Sequence, residues 1–168
     1  ATLPAGEPLR DATPRIYDAL RVLADAAAAI PGRKNLLFYS IGFGELERLG
    51  GLPQGRYVRD QRFYPPMVQA LNGANVAVYS VDLTPPEHRN DFQDALQDIA
   101  ADTGGRLFYH LQGFARPLEE VARETNGYYL LAYRSERPAG SSGYQKVEVT
   151  LANPEFRITA RRGYRFGG

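Results

Sequence analysis

Three short runs of almost unbroken apolar character, NLLFYS (35–40), NVAVYSVDL (75–83) and RLFYH (106–110), alternate with longer stretches whose apolar residues recur at helical spacing. A strand that is apolar on both sides has to be covered on both sides, and helices returning the chain between such strands supply the cover. Strand, helix, strand, helix, strand, helix is the rhythm of parallel crossovers of one hand. The pattern therefore predicts a parallel sheet with flanking helices, its strands at about 35–40, 76–82 and 106–109.

The punctuation between the runs is consistent with this. Thr13 is read as an N-cap with Pro14 in the first turn, followed by a helix burying Ile16, Leu20, Leu23, Ala24, Ala27 and Ile30 and stopped by Pro31-Gly32. Tyr64-Pro65-Pro66 opens a second helix through Met67, Val68 and Leu71 to Asn72-Gly73. A third carries Phe92, Leu96, Ile99 and Ala100 on one stripe before Gly104-Gly105, and a fourth carries Phe114, Leu118, Val121 and Ala122 before Asn126-Gly127. After residue 127 the rhythm changes. YYLLAYRS, YQKVEVTL and FRITAR follow one another without helices, which predicts antiparallel strands near 128–134, 144–151 and 156–161.

Two segments lack a period. Residues 1–12 read as a lead-in, and residues 41–64 hold six Gly or Pro before the Pro-Pro pair together with Arg48, Arg56, Arg59 and Arg62, which predicts a long, mobile loop. With 168 residues the chain has room for one domain with a real core: lead-in 1–12, α/β part 13–126 and β extension 127–168. The fold class expected is α/β, a partial doubly wound, Rossmann-like parallel sheet with flanking helices plus a C-terminal antiparallel three-stranded extension. Buried positions should include Leu37, Phe38, Val76, Val78, Ile99 and Leu130.

Composition removes several functions. The absence of cysteine excludes disulfides, thiolate catalysis and Cys-based metal sites, and two histidines, His88 and His110, are too few for most zinc sites. Net charge is +1, so no overall field recruits nucleic acid or anionic lipid. The RITARRGYRF run near the end mixes four arginines with aromatics, and a solvated strand with Arg stems packed over the rings accounts for it more simply than nucleic acid does. No apolar run reaches the roughly 18 to 20 residues of a membrane span, and no signal peptide is visible at Ala1.

Ligands of open α/β sheets gather at the carboxyl ends of the strands, here Ser40–Gly44, Asp82–Pro86 and His110–Gly113. Ser40, Asp82 and His110 follow the Ser, Asp, His order of α/β-hydrolases, but FYSIG lacks the first Gly of G-x-S-x-G and leads into a loop instead of a helix. Gly42 and Gly44 begin no phosphate-binding motif. The candidate binding residues are Ser40, Phe43, Glu45, Arg48, Arg56, Arg59, Asp82 and His110. No catalytic or metal-ligating residue and no cofactor is expected.

The ordered set YDAL (17–20), PGRKNLLFYSIGF (31–43), ANVAVYSVDL (74–83), LQDIAADTGGRLF (96–108), YYLLAY (128–133) and ARRGY (160–164) resembles the von Willebrand factor type A-related domains of bacterial, notably acidobacterial, exported proteins. The resemblance implies a type A-like fold, of which this chain is the C-terminal portion, with NLLFYS, NVAVYS and RLFYH as fourth, fifth and sixth strands. Many type A domains hold Mg²⁺ through Asp-x-Ser-x-Ser, a Thr ahead of the third helix and an Asp after the fourth strand. Here no Asp-x-Ser-x-Ser exists, Pro14 stands at the Thr position and Ile41 at the Asp position, and a sec-butyl side chain offers a hard cation no oxygen. The expectation is a degenerate, metal-free site.

The resemblance further implies a non-enzymatic adhesion or protein-interaction module, secreted or located in the cell envelope. With no first strand ahead of Thr13, Leu36, Leu37, Phe38 and Tyr39 are expected to form an open edge completed by a protein partner or by another copy of the chain through β-augmentation. The alternatives are a structural subunit that assembles through that edge and a Ser-dependent hydrolase.

Overall fold

The computed structural model of the chain describes residues 3, 5–88, 90–109, 115–127, 129, 131, 140–156, 158, 160 and 163–166. Its main sheet consists of β1 (Lys34–Ser40), β4 (Val76–Asp82) and β5 (Leu107–Phe108), in the order β1-β4-β5 and all parallel. Lys34 lies opposite Val76 and Ser40 opposite Asp82, while Ser80 and Val81 face Leu107 and Phe108. The fold is mixed α/β, with helices flanking this sheet. As the central strand, β4 is buried at every position, which is why NVAVYSVDL reads as a continuous apolar run.

Side-chain alternation divides the core into two layers. Val76 and Val78 join Leu36, Phe38 and Leu107 beneath three helices: α2 (Ile16–Ala27), α3 (Tyr64–Gly73) and α4 (Gln93–Thr103). Leu20, Ala24, Met67, Leu71, Leu96 and Ile99 fill that layer. Ala77, Tyr79, Val81 and Phe108 form the opposite layer with Leu37 and Tyr39, where Val121 of α5 (Ala115–Glu124) packs. Both crossover helices, α3 and α4, lie on one face, as two steps of the same hand in one direction require. The amino half of β4 extends beyond the short β5, and α4 completes its bonding. The Thr103 hydroxyl accepts the Val78 N–H at 2.9 Å and donates to the Ile99 carbonyl at 2.7 Å.

Several local expectations change. Residues Glu7–Ala12 of the lead-in form a short helix, α1, and Thr13 closes it by donating to the Leu9 carbonyl at 2.7 Å, so Thr13 is not the N-cap of α2. That role falls to Arg15, and Asp18 places a carboxylate in the first turn, where the helix dipole favours it, 3.0 Å from Arg15 Nε. Ile30 lies past the end of α2 and is exposed. Leu37 and Phe38 are half-buried, because among the described residues β1 is the outermost strand of its sheet.

The largest correction concerns residues 41–64. They contain an antiparallel hairpin, β2 (Glu45–Leu49) and β3 (Leu52–Val58), in a sheet of its own. Gly50 and Gly51, both at positive φ (59° and 84°), form the two-residue turn whose twist matches a hairpin.

In the C-terminal part β6 (Gly143–Lys146) pairs antiparallel with β7 (Gly163–Phe166), Gly143 opposite Phe166. The strand expected over 144–151 ends at Lys146, and the Asn153 side chain accepts the Glu155 N–H at 2.9 Å to set a turn beyond it; residues 157, 159 and 161 of the strand expected at 156–161 lie outside the described residues. The strand expected near 128–134, with Leu130, lies outside the described residues apart from Tyr129 and Leu131.

Helix α5 buries Pro117 and Val121 but leaves Leu118 58% exposed and Ala122 outside, against the apolar stripe of its sequence. Its roll is set by Arg106, which stacks over the Phe108 ring at 4.3 Å and bonds both Glu120 and Glu124, the latter at 2.9 Å. The two positions should therefore separate in urea denaturation. Val121→Ala is expected to cost about 2 kcal/mol and Leu118→Ala less than about 0.5 kcal/mol; equal losses would contradict this seating of α5.

Candidate functional site at the carboxyl edge of the sheet

The chain leaves β1 through a local lock. The Ser40 hydroxyl accepts the Gly42 N–H at 3.0 Å and lies 3.2 Å from the Gly42 carbonyl, so its bonding is spent within its own turn. Gly42 has φ 109°, and a Cβ there would stand 2.2 Å from Phe92 Cβ at the start of α4. Phe43 then turns into the core, edge-on to Tyr17 at 5.4 Å and to Phe38 at 6.0 Å between ring centroids. A Cβ on the next residue, Gly44, would meet the Tyr57 ring at 2.6 Å. Gly-Phe-Gly is thus an aromatic plug between α2, α4 and the hairpin. Phe43, a candidate contact residue by sequence, is a buried core residue, while Ile41 faces solvent.

The hairpin stands over this plug. Tyr57 is its buried anchor and Leu46 is half-buried, while Glu45, Arg48 and Arg56 are exposed. At the tip Leu49 and Leu52 pair across the turn at 72% and 69% exposure, and Arg48 Nη1 donates to the Gly51 carbonyl at 3.4 Å. Glu45, Glu47 and Arg48 on β2 and Pro53 on β3 blunt the hairpin edges against further pairing. Arg59 ties the hairpin to the body. Its guanidinium lies 2.6 Å from Asp98 and 3.5 Å from Asp102, over the Tyr64 ring at 4.4 Å, and the Tyr64 hydroxyl donates to Asp102 at 2.9 Å. Those bonds commit Arg59 to the fold.

Between β3 and the connection from β4 to α4 lies a cleft of about 510 Å³. Gln54 and Arg56 line one wall, and Asp82, Thr84, His88, Asn90, Gln93 and Asp94 line the other. Asp82, 8% exposed, uses Oδ1 to accept the Thr84 N–H at 2.9 Å and Asn90 Nδ2 at 2.8 Å, and Asn90 in turn accepts the Phe92 N–H at 2.9 Å. The carboxylate organises the loop that leads into α4. His110 lies outside the described residues, so its relation to Ser40 and Asp82 is not part of this geometry.

No protein-family model, curated protein or solved structure matches the chain. Among the described residues no group of three or more His, Asp or Glu side chains is placed to hold a metal ion, and no helix is long and apolar enough to cross a membrane. The arrangement offers mixed-charge hydrogen bonding in a recess beside an exposed apolar tip. Sequence reasoning missed Tyr57, Asn90, Leu49 and Leu52. A signal for the last two was present, since Gly50-Gly51 between ELERL and LPQGRYV is a hairpin turn sequence.

The plug carries an electrostatic signature. The Tyr17 and Tyr57 hydroxyls are buried beside one another and, among the described residues, find no hydrogen-bond partner outside their own pair. Burial holds both above the ordinary tyrosine value of 10.0, helped by Asp60 and Glu45 around Tyr17 and by Tyr17 and Asp98 around Tyr57. Tyr64 is raised likewise, by burial first and Asp102 second. Above pH 10 the unfolded chain releases these protons while the folded chain retains them, so folding stability falls as pH rises past that value. Urea melts should show that decline, and Tyr64→Phe should make it shallower; an unchanged slope would contradict it. Gly42→Ala should cost about 3 kcal/mol, from the forbidden φ and the collision with Phe92.

Proposed function

We propose that the chain is a non-enzymatic protein-interaction module whose contact surface is the β2–β3 hairpin with the cleft behind it. The observation that carries this reading is the pair Leu49 and Leu52, held exposed at the tip of an ordered hairpin above the carboxyl edge of a parallel sheet. Arg48 and Arg56 add directional polar contacts beside them, and the cleft accepts a polar side chain next to the apolar tip. The local bonding of Ser40 and the loop-organising role of Asp82 give these two residues structural work, which supports contact over chemistry. The resemblance to type A-related domains of exported bacterial proteins supports an adhesion-type role outside the cytoplasm, independent of metal.

The test is selection from a displayed random-peptide library on the folded chain, with binders mapped by amide chemical shifts. Peptides should perturb residues 45–58 and lose binding to a Leu49→Asp, Leu52→Asp double variant of unchanged melting behaviour. Binders that map elsewhere and ignore the double variant would overturn the reading. A fluorophosphonate probe should leave Ser40 unlabelled, and stoichiometric labelling there would favour a hydrolase.

One observation favours self-assembly as a second reading: among the described residues β1 pairs only with β4. A strand from a partner or from another copy would then add beside Leu36, Leu37 and Phe38. Sedimentation across a wide concentration range should show reversible association, and a concentration-independent monomer would remove self-pairing.

A further inference from the structure

The chain contains two Asn-Gly steps at helix ends, Asn72-Gly73 and Asn126-Gly127, and the structure sets them in different surroundings. An asparagine followed by glycine can cyclise when the glycine amide nitrogen reaches the side-chain Cγ. The approach needs an unhindered backbone able to leave helical geometry, and a glycine without Cβ makes it easy. Asn72 and Gly73 are the last two residues of α3. The Asn72 side chain donates through Nδ2 to the Asp102 carbonyl at 3.1 Å, and its own carbonyl accepts the Asn75 N–H at 3.1 Å. Helical backbone and an occupied amide hold the two reacting atoms apart.

Asn126 stands outside any helix. Helix α5 ends at Glu124, the Thr125 N–H closes its last turn on the Val121 carbonyl at 3.0 Å, and Asn126 and Gly127 are both exposed. Among the described residues nothing lies within 4 Å of a Cβ built on Gly127, and the same holds at Gly73, so what separates the two steps is the helical backbone and the side-chain bond of Asn72.

We propose that Asn126 is a self-modification site, converted by cyclisation with Gly127 to aspartate and isoaspartate while Asn72 is protected by the fold. The Gly127 nitrogen gives up its proton and attacks Asn126 Cγ, a C–N bond forms, and the bond from Cγ to the side-chain amide nitrogen breaks, that nitrogen leaving with the proton as ammonia. Water then opens the five-membered imide at either carbonyl. The balance is one water consumed and one ammonia released, with no oxidant or reductant. Opening at the α-carbonyl leaves an isoaspartate whose free α-carboxylate is the type of group that carboxyl-methylating repair enzymes recognise. Either product places a new negative charge just beyond the carboxyl end of α5, where the helix carbonyls and Glu124 already carry negative charge. The modification therefore acts as a clock on the last turn of that helix.

The test is prolonged incubation of the intact chain in mildly alkaline buffer. Proteolysis and mass spectrometry, with fragmentation that separates the two isomers, then read each site. Position 126 should convert steadily, with isoaspartate among the products, while Asn72 keeps its amide. Incubation in urea should bring Asn72 up to the same rate. Gly127→Ala, which has open space around it, should slow conversion at 126 several-fold without shifting the melting curve. Equal rates at the two sites in the folded chain, or an unaffected rate in Gly127→Ala, would overturn the proposal.

Discussion

Burial of β4 on both faces along its whole length imposes the layout of everything around it. A seven-residue strand with no solvent-facing side needs β1 and β5 for its backbone and two layers of helix for its side chains. The first layer takes α2, α3 and α4 and the second takes α5, and where β5 is too short to satisfy β4, Thr103 of α4 bonds the strand directly. At the carboxyl end of β4, Asp82 emerges into the loop and finds Thr84 and Asn90.

That end is also where the hairpin meets the sheet. The space above β1 is filled by Phe43, framed by two glycines that allow Phe92 and Tyr57 to close on it. The aromatic plug joins the sheet to the hairpin by hydrophobic contact and leaves Leu49 and Leu52 at the hairpin tip in solvent. The hydroxyls of Tyr17 and Tyr57, buried with no described partner outside their own pair, carry a desolvation cost of about 1 to 3 kcal/mol. Arg59, bridging Asp98 and Asp102 over Tyr64, offsets part of it by tying the hairpin exit to α4.

The elements that sequence reasoning placed well share a physical property. β1, β4, α3 and α4 are each specified by their own apolar pattern and punctuation, and Gly104, left-handed at the end of α4, is an example of punctuation read correctly. The elements misread depend on distant partners. Leu118 belongs to an apolar stripe yet faces out, because the Arg106 pairs with Glu120 and Glu124 set the roll of α5. Thr13 satisfies every local criterion for starting α2 and instead closes α1. The hairpin was hidden by its polarity, since only Tyr57 is fully buried and the strands carry no apolar face long enough to announce themselves.

By itself the sequence determined the parallel α/β core, because continuous apolar runs and helical periods are local facts that survive any arrangement of neighbours. It also determined that Ile41, standing after Ser40, brings no oxygen ligand to that position. Tertiary structure alone decided what occupies the carboxyl edge of the sheet. Phe43, Tyr17, Tyr57 and Phe92 come from four separate stretches, and their convergence depends on backbone approaches of a few ångströms that no pattern along the chain encodes. The same convergence committed Arg59 to the body and left Leu49 and Leu52 in solvent, because a side chain's availability is set by what packs against it and not by its type.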